Sequence, residues 1–279
     1  MAHPRIYGLI GYPIKHSLSP QMHNTAFKSL KINAEYRLFE VKPQELEDFL
    51  NNLDKNGIYG LNVTIPYKEK VLDFVILEPE SFYLKQIKAV NTIVKEDKAW
   101  KGLNTDIPGF SKHLKENFNP EGKRAAILGA GGASRAVCYV LAESKAKEIV
   151  IFDIDKDKTK AVVEMIEDLF PGFNILAAPN IEDLDIINKE LLVNATPIGL
   201  KESDPCLVKE EMLHKNLFVY DLIYNPAETK LLRLARKKGA KVSNGLGMLL
   251  YQGALSFKHF TEKEPPIEIM RQALKTRSG

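Results

Sequence analysis

Ala125-Ala126-Ile127-Leu128-Gly129-Ala130-Gly131-Gly132-Ala133-Ser134-Arg135-Ala136-Val137 is the stretch on which the fold turns. An apolar run of strand length feeds directly into a glycine turn, and beyond it Ala136, Val137, Val140 and Leu141 recur with helical spacing. Glycine has no Cβ, so backbone N–H groups can approach a pyrophosphate lying at the positive end of the helix. Strand, turn and helix together predict a dinucleotide-binding βαβ unit, with Gly129, Ala130, Gly131, Gly132 and Ala133 as cofactor contacts. The third glycine of the usual fingerprint is Ser134 here, which weakens the motif taken alone. Asp153 follows 22 residues after Gly131, at the end of the next predicted strand, where an acidic side chain meets the adenosine ribose. A carboxylate there accepts from both ribose hydroxyls and opposes a 2′-phosphate by roughly 4 kcal/mol at 4 Å and an effective dielectric of 20. Lys156 and Lys158 offset part of that repulsion, and a turn or helix-capping aspartate is the alternative reading of Asp153.

Working outward, apolar runs at 149–152, 175–177, 191–194, 218–222 and 241–243 continue the series, with helical or polar intervals between most of them. Strands joined by crossovers run parallel, so six of them predict a doubly wound Rossmann-type domain over 107–246. Upstream, runs at 6–10, 36–41 and 59–65 alternate with a helical pattern through Met22, Ala26, Phe27 and Leu30. A ribbon over 90–95 and 99–103, turning at Glu96-Asp97-Lys98, and a helix over 107–118 complete an N-terminal α/β domain at 1–106. The apolar helical segment after Gly245 is expected to return to it, so that 247–279 complete the first domain.

The 279 residues, 44% hydrophobic and 27% charged, suffice for two cores. A net charge of +3, with positive residues scattered along helices, lacks the basic stripe of a nucleic-acid binder. The N-terminal segment is too short in apolar run for a signal peptide and no stretch reaches membrane-spanning length, so a cytoplasmic protein is expected. Cys138 and Cys206 show no metal or disulfide spacing and read as core fillers, and the histidines show no metal-ligand spacing. Trp100 reads as a ribbon packing residue.

Three polar clusters precede Gly109: His16-Ser17-Leu18-Ser19-Pro20, Asn62-Val63-Thr64-Ile65-Pro66-Tyr67-Lys68, and Asn91-Thr92 with Asn104-Thr105-Asp106. Their hydroxyls, amides, amine and carboxylate suit a polyhydroxy acid. Each also has a local reading: Ser19-Pro20 could cap a helix, as could Asn104 or Asp106.

With Ala89-Val90-Asn91-Thr92, Asn194-Ala195-Thr196-Pro197-Ile198-Gly199, Asp221-Leu222-Ile223-Tyr224-Asn225-Pro226 and Gly245-Leu246-Gly247-Met248-Leu249 through Gln252, these motifs make the chain resemble the shikimate dehydrogenase family over nearly its whole length. The resemblance implies reversible, NAD(P)-dependent hydride exchange between shikimate and 3-dehydroshikimate, in aromatic amino-acid biosynthesis. It implies Ser17 and Ser19 on the substrate carboxylate, Asn62, Thr64, Asn91, Asp106 and Gln252 on the ring hydroxyls, and Tyr224 beside them. Lys68 and Asp106 match the family's catalytic pair, while Asn194, Ala195, Thr196, Leu222 and Gly245 would lie along the cofactor, and the resemblance implies a ligand cleft between the two domains. Lys68 would remove the hydroxyl proton as hydride leaves, so alcohol oxidation is expected to rise toward alkaline pH. Asp106 would position the reacting hydroxyl and orient Lys68.

NADP-using members commonly carry Asn-Arg-Thr where this chain has Asp153-Ile154-Asp155, so the resemblance with this departure implies NAD in preference to NADP. Quinate-using relatives often have threonine where this chain has Ser19, which implies shikimate. Lys88 and Leu200 also depart from the usual glycine and methionine. An NAD-dependent quinate/shikimate dehydrogenase of quinate catabolism and a non-catalytic NAD-sensing module are the competing readings. A folate dehydrogenase leaves Gln252 and the Ser17/Ser19 pair unexplained. Expected partners are the small-molecule substrate and, at most, a second copy of the chain, as monomer or homodimer.

Overall fold

The computed structural model describes residues 3–77, 83–97 and 99–275. The chain divides into two compact units, Met1–Gly109 with Leu249–Gly279, and Phe110–Met248. Lys98 of the expected ribbon turn and 276–279 of the expected C-terminal helices lie outside the described residues.

In the first unit the chain runs through β1 (Arg5–Gly11), α1 (Ser19–Ser29), β2 (Ala34–Glu40), α2 (Leu46–Asn51), β3 (Ile58–Val63), α3 (Tyr83–Ile87), β4 (Thr92–Glu96) and β5 (Ala99–Leu103). Its sheet has the order β2-β1-β3-β4-β5. The first three strands pair in parallel, and β4 and β5 add antiparallel as the ribbon that the sequence predicts. Buried Ile10, Leu50, Ile58, Leu61, Val71 and Ile93 form one core, against which Trp100 packs. Met22, Ala26 and Phe27 are the buried stripe of α1, as their spacing predicts. Leu30, expected on that stripe, lies one residue past the helix and is exposed, because Lys31 turns the chain at φ 53°. Lys88 stands at φ 51°, a conformation in which glycine is least strained, which accounts for the glycine of many relatives there.

The chain passes through α4 (Asp106–Asn117) into the second unit, which contains β6 (Arg124–Leu128), α5 (Gly132–Glu143), β7 (Glu148–Phe152), α6 (Lys156–Leu169), β8 (Ile175–Ala177), β9 (Leu191–Asn194), β10 (Phe218–Asp221), α7 (Lys230–Lys237) and β11 (Lys241–Ser243). The sheet order is β11-β10-β9-β6-β7-β8, with every pairing parallel. Numbered from β6, this is the doubly wound order, whose reversal point falls between β6 and β9. Parallel strands covered on both faces need continuous apolar runs, and Ala126, Leu128, Leu192 and Val219 supply them. The crossovers from β8 to β9 and from β9 to β10 contain only short 3-10 turns, Glu182–Leu184, Ile186–Asn188 and Glu210–Met212. Pro179, Pro197 and Pro205 in those intervals work against longer helices. The chain then continues through α8 (Leu246–Thr261) to α9 (Ile267–Lys275), which packs on α1 in the first unit. Among the described residues no helix is long and apolar enough to cross a membrane.

Candidate active site

In the first unit, Lys68 Nζ donates to Asp106 Oδ2 at 2.6 Å, with side chains only 12% and 7% exposed. Two local choices create the pair. Asn104 Oδ1 accepts from the Ile107 N–H and so caps α4. Asp106, the first residue of that helix, is thereby left to direct its carboxylate at the lysine. The Lys68 carbonyl accepts from Val90 N–H, tying the lysine's backbone to the Asn91 segment.

Asn91 is 2% exposed, and its Oδ1 accepts from Thr105 N–H at 2.7 Å. Its Nδ2 donates to Thr105 Oγ1 at 3.0 Å and to Gln252 Oε1 at 3.5 Å. Gln252 Nε2 donates to the Leu249 carbonyl, leaving its second N–H hydrogen for another acceptor. The structure therefore brings Lys68, Asp106, Asn91 and Gln252 into one unit, and links the two amides directly.

Ser17 is half-buried and Ser19 buried at the start of α1, their hydroxyls 3.2 Å apart. Ser17 Oγ also accepts from Ser19 N–H, but Leu18 is the N-cap and no side chain caps the helix, so Ser19 does not take the expected capping role; this helix end carries two hydroxyls and the positive end of the dipole. Thr64 is half-buried, and its methyl fills the space that a Cβ on Gly11 would need.

Asn62, expected on a ring hydroxyl, is also engaged within the protein. Its Oδ1 accepts from Tyr36 O–H at 2.7 Å, and its Nδ2 donates to Ser256 Oγ at 2.7 Å and Thr92 Oγ1 at 3.1 Å. Both amide hydrogens are spent inside the protein, so Asn62 is a strut behind the polar cluster. Sequence reading missed Tyr36 and Ser256 because each sits in an ordinary strand or helix pattern. Only the tertiary contacts reveal them.

In the second unit, Gly129 adopts φ +96° and a side chain there would press on Thr196 and the Ala195 backbone. A Cβ on Gly131, by contrast, meets nothing within 4 Å, so an open cradle faces the N-terminal amides of α5. Ala130, Gly132 and Ala133 flank it. Asp153 Oδ2 accepts from Ala130 N–H at 2.7 Å and Oδ1 from Asp155 N–H at 2.9 Å. It is thus a turn aspartate placed at the edge of the cradle, while Asp155 is the residue that caps α6. Ile154 between them is 92% exposed, and Lys158 is paired to Asp155 at 3.2 Å. An open glycine cradle, a helix N-terminus and a carboxylate at the end of β7 fit a dinucleotide's pyrophosphate and ribose.

At the reversal point, Ala195 N–H donates to the Leu128 carbonyl and Leu222 N–H to the Asn194 carbonyl. Asn194 braces this loop from within: Oδ1 accepts from Thr196 N–H and Oγ1, and Nδ2 donates to Asp221 Oδ1. Asp221 is fully buried and also accepts from Ile223 N–H and Thr229 Oγ1. Burial pushes its carboxyl up to about 6 against these three donors. Sequence reading carried Asp221 only inside a motif. A Cβ on Gly245 would collide with the Leu222 carbonyl oxygen, so the close approach of these two segments requires glycine. Tyr224 is half-buried in this unit, two residues beyond Leu222.

A family model of the shikimate dehydrogenase substrate binding domain matches residues 9–93, and one of the shikimate 5′-dehydrogenase C-terminal domain matches residues 245–275. A curated shikimate dehydrogenase (NADP(+)) of Methanopyrus kandleri is 43% identical over 282 aligned residues, spanning 98% of this chain and 96% of that protein. A crystal structure of a shikimate dehydrogenase in complex with NADP+ superposes with a TM-score of 0.88 at 38% identity, covering 99% of this chain and 96% of that one. The shikimate 5-dehydrogenase of Listeria monocytogenes, crystallised with shikimate and NAD, gives a TM-score of 0.83 at 36% identity, covering 98% and 96%.

Proposed function

The chain belongs to the shikimate dehydrogenase family of oxidoreductases, and we propose that it interconverts shikimate and 3-dehydroshikimate in the cytoplasm, with NAD as its preferred dinucleotide. The observation that carries this reading is the enclosed Lys68–Asp106 pair at 2.6 Å in the same unit as Asn91, Gln252 and the Ser17/Ser19 hydroxyls. The first unit receives the acid and the second the dinucleotide.

Ser17 and Ser19 hold the substrate carboxylate with the help of the α1 N-terminus, whose partial positive charge favours an anion. Asn91, Thr64 and Gln252 take ring hydroxyls. In alcohol oxidation Lys68 Nζ accepts the hydroxyl proton, and in ketone reduction it returns that proton to the carbonyl oxygen. Asp106 Oδ2 accepts from Nζ at 2.6 Å and holds it in place. The bound dinucleotide supplies the hydride acceptor or donor. The amides around Gly131 and the N-terminus of α5 would hold its pyrophosphate, and Asp153 its adenosine ribose.

The preference for NAD rests on Asp153. Its carboxylate is anchored on both oxygens by backbone N–H groups, so it does not swing away from a 2′-phosphate. Ile154 occupies the adjacent exposed position with no guanidinium to offer, and Lys158 is engaged by Asp155. The curated relatives carry NADP(+) in their names, so this is a departure within the family. Steady-state kcat/KM for NAD and for NADP with shikimate tests it, with NAD at least about tenfold better expected from roughly 1.4 kcal/mol of discrimination. A preference for NADP refutes the coenzyme proposal. Faster turnover of quinate than shikimate would move the enzyme to quinate catabolism.

A further inference from the structure

Ser256 lies one helical turn after Gln252 on α8 and is wholly buried. Its Oγ lies within hydrogen-bond distance of Asn62 Nδ2 (2.7 Å), Thr92 Oγ1 (3.0 Å), Thr105 Oγ1 (3.1 Å) and the Gln252 carbonyl (3.0 Å). A hydroxyl has one proton and two lone pairs, which restricts how such a junction can be wired. The Asn91 carbonyl lies 3.4 Å from Asn62 Nδ2, which places the N–H side of Asn62 toward Ser256 and its oxygen toward Tyr36.

One wiring then satisfies the donors. Tyr36 O–H donates to Asn62, Asn62 donates to Ser256, and Ser256 donates to the Gln252 carbonyl. On the other branch, Asn91 Nδ2 donates to Thr105 Oγ1, which donates to Ser256, while Thr92 Oγ1 donates to Asn91 Oδ1. The second branch ends on the side-chain amide of Asn91, whose Nδ2 also reaches Gln252 Oε1 at 3.5 Å, whereas the first ends on the main-chain carbonyl of Gln252. Buried hydroxyls in such a chain leave unsatisfied partners when one is removed, so the junction restrains the orientation of the Asn91 amide and, through its Nδ2, that of Gln252.

We propose that Ser256 is a positioning residue for substrate ring hydroxyls, acting through Asn91 and Gln252 from the junction of this buried network. The proposal rests on the shikimate reading above. It assigns no contact between Ser256 and the substrate. Its effect is to hold the two amides in the orientation that binding requires.

The test is steady-state kinetics of full-length Ser256→Ala and Ser256→Cys with shikimate and with analogues lacking one ring hydroxyl at a time. Cysteine fills the space of serine but is a poor hydrogen-bonding group. Both variants are expected to raise KM for shikimate about tenfold, the scale of one lost hydrogen bond, with kcat and the dinucleotide KM within about twofold. The penalty should shrink with the analogue that lacks the hydroxyl held by the displaced amide. Tyr36→Phe removes the donor at the far end of the chain and should give the same split if Ser256→Ala fails to fold. An unchanged shikimate KM, a parallel rise in dinucleotide KM, or wild-type behaviour of Ser256→Cys overturns the proposal. Absence of shikimate turnover in the unsubstituted protein would instead remove the functional reading beneath it.

Discussion

Lowering the pH from 7 to 5 is expected to destabilise the first unit by about 2 kcal/mol through one side chain, His23, on the linkage between burial and protonation. The imidazole is wholly buried, stacked on Tyr36 with ring centroids 4.3 Å apart, and neither ring nitrogen has a hydrogen-bond partner. Desolvation lowers its pKa from 6.5 to about 3. The folded state therefore binds fewer protons than the unfolded chain between those values, and stability falls as pH falls through the window. At pH 5 an unfolded histidine is almost fully protonated while the buried one is neutral, a difference of about 2 kcal/mol, against about 0.2 kcal/mol at pH 7. Trp100, the chain's one tryptophan, packs in the first unit, so its fluorescence follows that unit's unfolding in urea. His23→Phe keeps a ring beside Tyr36, Phe27 and Phe257 and removes the titration. The variant should lose about 2 kcal/mol less than the parent over this pH interval, whatever its stability at pH 7. Equal losses in the two proteins would refute the reasoning, because they would mean that the buried ring reaches water or a partner as readily as the unfolded one.

Asp221 predicts the opposite sign in the second unit: a carboxyl raised to about 6 makes the folded state less stable as pH climbs from about 4 through 6. Hydrogen exchange of the β9 and β10 amides should show protection rising by about 1 kcal/mol from pH 7 to pH 5, after correction for intrinsic rates, and Asp221→Asn should abolish the rise. Lys68→Ala is expected to lower kcat by about 10²–10⁴ while shikimate and dinucleotide still bind by titration calorimetry; a kcat within tenfold of the parent would exclude it as the proton-transfer group. Gly245→Ala forces a Cβ onto the Leu222 carbonyl and should destabilise the second unit by about 1–3 kcal/mol, with weaker dinucleotide binding and shikimate binding retained. An Ala variant with the parent's dinucleotide affinity would show that the two segments separate without consequence.

The glycine turn and the parallel strands were readable because a strand and a helix each impose a period on apolar residues, and the turn between them needs glycine at Gly129. The helix expected over 107–118, which runs from Asp106 to Asn117, and the ribbon of β4 and β5 followed from equally local signals. Strand ends were less legible: Val90 and Asn91 read as β4, yet their N–H groups go to the Lys68 and Leu103 carbonyls, and the ladder begins at Thr92. Such bonds depend on which segments meet, a fact that periodicity does not carry. The same limit hid part of the site. Lys68 and Asp106 bear groups whose chemistry is visible in isolation, whereas Tyr36, Ser256 and Asp221 matter only through what they touch. Asn62 shows the same limit, since the partners of its amide hydrogens, Thr92 and Ser256, lie far from it in sequence.

The double anchoring of Asp153 also bears on how readily a lineage could change coenzyme. An asparagine in its place sheds the negative charge and keeps an oxygen for only one of the two N–H groups, its NH2 facing the other donor without accepting from it. The codons of aspartate and asparagine differ by one base, so on the proposed NAD preference the first mutational step toward NADP keeps one of the two anchors of the turn. Alanine would free both N–H groups and loosen the turn itself. Selection on coenzyme choice at this position therefore works against the turn's own hydrogen bonding, and an arginine in place of the exposed Ile154 leaves both anchors of Asp153 untouched.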